Sequence, residues 1–380
     1  MKSIAIRPQG LRIAFICFSS ARGGLELMLV RLAHSLQAMG HSVFMVSPGN
    51  NAIEEDCNTR GIRHYALSPL FKYLDPIASG TLRRYFIRHD TQVAVVGTSK
   101  DISTVVLAKR HFASLRVVYF QQMQSGLMKK DLFHRWSHSH LDRWITLTRK
   151  MMDTTQSLTT VPSSIIDVVP LGVDLEKFSP AKHHRGISRS LFGLPKRGPI
   201  IGLIGRFDPQ KGQETFLRAA SIVLKKVPKV HFVMAGEETR GESGYLDQLR
   251  QLVQTEGIGE NVQFLPFTER VPELLSAFDI TVMPSFSETY GYLAIESMAM
   301  GVPVVGTNAG GLPEIIEDQK TGILVAPRDH ESLAEALISL LSNPRRYRSM
   351  AQEGRRRAEK SFDYVDGVRL FEKSLVRALS

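Results

Sequence analysis

Cysteine is almost missing from this chain: Cys17 and Cys57 are the only two in 380 residues. That is too few for a four-cysteine zinc site or a disulfide framework. Cys17 stands inside an apolar run, where a buried thiol is the usual occupant, and reduced thiols of a cytosolic protein are the expectation. No run approaches the roughly 20 apolar residues that a membrane span requires, and the uncharged stretch 297–313 is broken by Gly and Pro. The apolar run 13–18 is too short for a signal-peptide core and has no small-residue cleavage site after it, so it reads as a first strand. His-Glu-x-x-His, Gly-x-Ser-x-Gly and any Asp-x-Asp pair are absent, and the twelve histidines are scattered.

What is present is hydrophobic patterning on the scale of a two-domain protein, with 43% apolar and 22% charged residues. The net charge of +11 is uneven. Residues 1–175 hold 21 Lys/Arg against 12 Asp/Glu, and residues 176–380 hold 27 against 25. A basic first half suggests an anionic partner there, such as lipid head groups, a phosphorylated small molecule or nucleic acid; a merely basic surface is the plain alternative. Against nucleic acid, no reading motif is recognisable and the aromatics form no stacking platform.

The apolar run 11–18 is followed by a small-residue loop ending in Gly23 and Gly24. Leu25, Met28, Leu29, Leu32, Ala33, Leu36 and Met39 then recur at three and four, which predicts one buried helical face ended by Gly40. The run 43–46 completes a strand-helix-strand unit of the size a parallel crossover needs. The same order returns in the second half: a strand over 199–205, a helix over 216–227 with apolar residues at 216, 217, 220, 223, 224 and 227, and a strand over 230–235. Further strands are predicted at 262–265, 280–283, 302–306 and 323–325, with helix from 343 to the end. The fold class is α/β, with two doubly wound Rossmann-like domains in tandem. The first spans 1–175, the second 176–362, and a C-terminal helix 363–380 packs back on the first. Pro, Gly and charge over 168–189 mark the hinge.

In such sheets ligands bind beyond the carboxyl ends of the strands, which directs attention to four loops. In 205–212, Arg206 and Lys211 flank an entry into a helix, where free amides and two cations suit a diphosphate; two solvated cations explain the loop equally well. A Walker loop is absent. In 284–301, every residue from Tyr292 to Met300 is apolar or aromatic except Glu296 and Ser297, so the helix, and with it Glu296, is expected to be buried. A buried carboxylate needs donors, and ribose hydroxyls would serve. Glu288 precedes that helix; Ser285 with Glu288 also matches a capping box, but Gly291 in the first turn argues for a loop close to a ligand. The Gly310-Gly311 loop and the loop 19–24 are weak signals alone.

Taken in order and spacing, these segments resemble the family 4 retaining glycosyltransferases of the GT-B fold, also described as group 1 glycosyltransferases. The likeness covers nearly the whole chain: Gly23-Gly24, the segment 169–180, Gly205-Arg206 with Lys211-Gly212, Asp279 through Ser285, Glu288 and Glu296 seven residues apart, Gly301 to Val305, and Gly310 to Glu314. The resemblance implies two Rossmann-like domains facing each other across a cleft. It implies transfer of a hexose-type sugar from a nucleotide diphosphate sugar to an acceptor hydroxyl, with retention and without a metal or other cofactor. Residue by residue, Arg206 and Lys211 would meet the diphosphate and Glu288 the sugar hydroxyls, these three being the catalytic set. Amides of Tyr290, Gly291, Tyr292 and Leu293 would bind the sugar or phosphate, Glu296 the ribose, and Gly24 the diphosphate.

One departure stands out. Where many relatives carry a His after a first-domain strand, this chain reads Gln121-Gln122, which with Gly23 become the acceptor or sugar contacts; a Gln cannot serve as a base. The acceptor is expected to be a glycan, glycolipid or small molecule of cell-envelope glycan biosynthesis. Lys129, Lys130, Arg135 and Arg143 among Phe133, Trp136 and Trp144 suggest peripheral contact with an anionic membrane on its cytoplasmic inner face, no nucleic acid being involved. An ordinary packed helix pair explains that stretch as well. The alternatives are a nucleotide-sugar hydrolase or epimerase of the same fold, and a non-catalytic nucleotide-sugar or polyanion binder.

Overall fold

The computed structural model describes residues 10–21, 23–110, 112–124, 126–238 and 244–380. Among them, thirteen strands form two sheets in which every pairing is parallel. The chain divides into two compact units, Met1–Pro170 with Gly367–Ser380, and Leu171–Asp366. The boundaries expected from sequence, 175 and 362, differ from these by a few residues.

In the first unit the strands are β1 (Arg12–Ile16), β2 (Ser42–Ser47), β3 (Arg63–Ala66), β4 (Val93–Val96), β5 (Arg116–Gln121), β6 (Arg143–Thr146) and β7 (Ile166–Val168), in the order β3-β2-β1-β4-β5-β6-β7. Central strands are buried on both faces, as a parallel sheet under two helical layers must be. The edge strand β3 is half-exposed. The helix Gly24–Ala38 buries Met28, Leu29, Leu32, Ala33 and Leu36 on the predicted stripe, while Met39 at its end is exposed. From Gly367 on, the last helix, Tyr364–Leu379, counts with this unit. There Phe371 meets Phe120 edge-on, Glu372 pairs with His41 and Arg377 with Asp167.

The second unit contributes β8 (Ile200–Ile204), β9 (His231–Ala235), β10 (Val262–Leu265), β11 (Ile280–Met283), β12 (Val304–Thr307) and β13 (Gly322–Val325), in the order β10-β9-β8-β11-β12-β13. Its core packs helix Gln213–Lys226 against helix His330–Ser342 over one sheet face. These orders are those of doubly wound Rossmann-like sheets, and each reverses direction once, between β1 and β4 and between β8 and β11.

Two expectations are corrected. The basic stretch 182–189, read as linker, enters the helix Arg185–Leu191, and Arg189 is buried. Its guanidinium bonds Asp279 at 2.8 Å and the carbonyls of Ala277 and Gly198, which satisfies a charge that would otherwise be costly inside. Trp144, read as part of a basic-aromatic surface, lies buried in β6. No helix among the described residues is long and apolar enough to cross a membrane.

Candidate functional site

Three loops of the second unit leave the carboxyl ends of the neighbouring strands β8, β11 and β12, at the reversal point of that sheet. They are locked to one another by hydrogen bonds to backbone carbonyls. Gln210 C=O accepts from Phe286 N–H at 2.8 Å, and Thr307 Oγ1 donates to Ser285 C=O at 2.6 Å. Gly311 N–H donates to Glu288 C=O at 2.7 Å. Two glycines permit this approach. Gly212 (φ +73°) and Gly310 (φ +60°) are left-handed, and a Cβ on either would overlap a carbonyl oxygen, that of Pro284 or of Glu288 respectively.

The side chains brought together on this frame are Lys211 and Glu288. Lys211 Nζ stands 2.7 Å from Glu288 Oε2, and Ser285 Oγ donates to the same oxygen at 3.3 Å. Both partners are partly open to solvent, at 28% and 17% side-chain exposure, so an incoming anion can still reach the ammonium. Arg206 is exposed on the same loop. Its carbonyl accepts from Nε2 of the fully buried Gln213, which ties the loop to the first turn of the helix behind it.

The helix after Glu288 begins only at Tyr292, with Gly291 as its N-cap at φ +98°. Ser285 therefore caps nothing; it bonds the Glu288 side chain instead. Gly291 is demanded by its own φ and by Leu312, whose Cδ2 a Cβ would approach to 2.7 Å. Its presence is thus explained by packing without a ligand. Amides of the first helical turn point out of this N-terminus, a setting that favours anions. Tyr290 is buried, its hydroxyl donating to Leu171 C=O at 2.6 Å and its ring meeting Tyr292 edge-on. Glu296, expected to be buried, is partly buried one turn into the helix. Among the described residues no group of three or more His, Cys, Asp or Glu is placed to hold a metal ion.

In the first unit a cleft of about 690 Å³ opens at the corresponding reversal point, lined by Phe18, Ser19, Gly97 to Asp101, Gln121 and Gln122. Gly23 caps the helix Gly24–Ala38 and its N–H donates to the Glu26 carboxylate, while Gly24 has open space about it. Arg22 of the same loop lies outside the described residues. Gln121 borders the cleft yet is almost wholly buried: Oε1 accepts from Trp144 Nε1 and from Thr155 Oγ1, both at 2.8 Å, and Nε2 donates to Met123 C=O. Gln122 donates to Leu25 C=O. A Gln121→Leu variant is expected to lose roughly 1–3 kcal/mol for each buried donor left unpaired, read as a lower urea midpoint. An unchanged midpoint would mean the amide is spare for a ligand.

Gln213 and Thr307 were not found from sequence. Each bonds a backbone carbonyl across a tertiary contact, and such bonds leave no pattern of residue types to read.

The chain was compared with known proteins. Residues 22–177 match the model described as "Glycosyltransferase Family 4", and residues 186–357 the model described as "Glycosyl transferases group 1". D-inositol 3-phosphate glycosyltransferase of Rhodococcus opacus is 35% identical over 198 residues, covering 51% of this chain and 44% of that one. The match thus spans less than half the length of this relative. Among solved structures, HepE of Anabaena, in complex with UDP and glucose, superposes with a TM-score of 0.81 at 21% identity over 96% of this chain and 99% of its own. A glycosyltransferase of Rickettsia africae gives 0.89 at 18% identity, over 98% and 99%. With two successive family models spread over most of its length, and with the paired Rossmann-like sheets of these neighbours, the chain belongs to the family 4, group 1 glycosyltransferases of the GT-B fold.

Proposed function

We propose that this protein transfers a hexose-type sugar from a nucleotide diphosphate sugar to an acceptor hydroxyl, with retention at the anomeric carbon and without a metal or other cofactor. The observation that carries the reading is the Lys211–Glu288 pair at 2.7 Å, set on three mutually braced loops at the reversal point of the second sheet, with Arg206 exposed on the same loop. A diphosphate entering there would draw Lys211 off Glu288. The carboxylate so released is free to accept from sugar hydroxyls.

Arg206 and Lys211 then offset the charge that grows on the departing nucleotide as the bond from its phosphate oxygen to the anomeric carbon breaks. Amides of residues 290–293 bind sugar or phosphate oxygens, and partly buried Glu296 accepts from ribose hydroxyls. Gly24 is assigned to the diphosphate. Gly23 and Gln122, the latter lining the cleft of the first unit, are assigned to the acceptor, with Gln121 supporting them. As the acceptor oxygen bonds to carbon on the face the leaving group vacates, its proton passes to that phosphate oxygen, so no side-chain base is required. The complex of HepE with UDP and glucose makes UDP the first nucleotide to try. We place the acceptor among the glycans, glycolipids or small molecules of cell-envelope glycan assembly, at the cytoplasmic side of the membrane.

The test has two steps. Thermal unfolding with UDP, GDP, ADP or TDP, with and without a chelator, should show one nucleotide raising Tm; at 100 times Kd a ligand adds about 2.7 kcal/mol. NMR of the product formed from that nucleotide's sugar should then show the donor's anomeric configuration on the acceptor. Stabilisation by none of the four would remove the donor site from this reading. Free sugar as the sole product with every acceptor offered would make the protein a hydrolase.

A further inference from the structure

The first unit's cleft holds a buried charge that its fold does not need. Asp101 follows β4 and lines the cleft at the reversal point between β1 and β4, with only 5% of its surface exposed. Its Oδ2 accepts from Phe18 N–H at 2.9 Å, and the Thr98 hydroxyl bonds the same carboxylate. It stands at the N-cap of the helix Ile102–Lys109 yet accepts from none of that helix's amides. Lys100 attracts it without forming an ion pair, so burial dominates and pushes the carboxyl up to about 6.

A bracing role does not account for the charge. An asparagine would accept from Phe18 N–H as well and would carry no charge into the interior. A carboxylate has up to about four acceptor positions, and the two donors on this one leave room for more. A buried charge kept at the edge of a cleft, where a neutral side chain would hold the fold, is kept for what enters the cleft.

The walls identify that ligand. Phe18, Tyr119 and Trp144 bring aromatic rings to the cleft, and Ser19, Ser99 and Gln122 bring hydroxyls and an amide. Rings beside polar groups suit a molecule with apolar C–H faces and a polar edge. An anion would be repelled by Asp101, and an ammonium group would meet Lys72, Lys100 and Lys129 in the same cleft. A neutral sugar ring avoids both conflicts, and its hydroxyls can donate to the open positions of the carboxylate in charge-assisted bonds.

We infer that Asp101 is a specificity-determining residue: its carboxylate accepts from hydroxyls of a neutral sugar ring in this cleft, and so selects a sugar as the acceptor. The acceptor role rests on the glycosyl-transfer reading; the sugar site itself does not. Asp101 accepts a hydrogen bond here and takes no proton, so the route of the acceptor proton is unchanged.

The experiment is saturation-transfer NMR on the full chain with the methyl glycosides of glucose, galactose, mannose and N-acetylglucosamine, none of which titrates between about pH 5 and 8. Wild type should bind at least one of them at neutral pH and lose it as pH falls through about 6, where Asp101 gains its proton. Asp101→Asn should bind that glycoside at least about tenfold more weakly at neutral pH, and without the pH dependence. Of the other ionisable groups facing Asp101, Cys17 after β1 and Tyr119 on β5 stay neutral, because burial pushes both pKa values up. Glu26, Lys72, Lys100 and Lys129 are the same in both proteins, so the difference between them belongs to Asp101.

Thermal unfolding separates this role from bracing. The carboxyl is held above its unfolded value of 3.8, so its charge destabilises wild type as pH rises from there through about 6. At neutral pH Asp101→Asn should therefore unfold at the wild-type Tm or above it. A much lower Tm with sugar binding intact would make Asp101 a brace and overturn the inference. So would binding of none of the four glycosides to wild type, or wild-type binding that is flat across pH 6. Glycoside binding that depends on Asp101, with no shift from any nucleotide, would leave the sugar site standing while the donor reading fell.

Discussion

Replacing Arg206 and Lys211 together by Ala is expected to lower kcat/KM for sugar transfer by about 10²–10³ while leaving the fold intact. The two effects separate because of where these side chains lie. In the unliganded chain Arg206 is exposed and Lys211 is partly so, and a partly exposed ion pair contributes about 1 kcal/mol or less to stability. In the transition state the same cations face a leaving diphosphate in a site from which substrate has displaced water, where their interaction is much stronger. Lys211→Ala alone should account for most of the loss, since it also strips the Glu288 carboxylate of its ammonium partner and leaves it the weaker bond from Ser285 Oγ. The single and double variants should therefore be less than additive. Steady-state rates with the preferred donor, alongside urea unfolding, decide the matter. A double variant with near-wild-type turnover would show that the diphosphate binds elsewhere.

How much of this was legible in the sequence depended on burial. The strand at 280–283 coincides with its expected bounds, because a parallel strand covered on both faces must be a short apolar run between breakers. Helix stripes such as Met28 to Leu36 were equally plain. The same apolar logic failed at Trp144, where a charged and aromatic stretch of mixed period fits a surface helix as well as a short core strand. It failed again at 182–189, since a polar run reveals neither a helix nor the buried bonds of Arg189.

At the site, Lys211, Glu288 and the Gly310-Gly311 loop were each weak signals because their meaning is joint. Only the adjacency of β8, β11 and β12 shows that Gly310 is there to admit the Glu288 carbonyl. Glu296 was overestimated. The apolar residues on either side of it in sequence leave Glu296 partly buried, not enclosed.

That adjacency makes Gly310→Ala a severely damaging change in the second unit. The substitution meets two obstacles: a φ of +60°, which costs an alanine about 1–2 kcal/mol, and the Glu288 carbonyl oxygen standing where the new methyl must go. The second can be relieved only by moving the backbone of residue 288, which also breaks the Gly311 N–H to Glu288 C=O bond. A displacement of about 1 Å at a positioned group can lower turnover about 10²-fold. Gly301→Ala supplies the comparison. Its φ of +67° carries the same backbone cost, but nothing lies within 4 Å of where its methyl would stand. Both variants should thus lose stability in urea unfolding, Gly310→Ala the more, whereas only Gly310→Ala should lose activity at temperatures where both remain folded. Equal activity in the two would mean that the Gly310 loop does not position Glu288, and that the carboxylate acts, if at all, from a backbone free to shift.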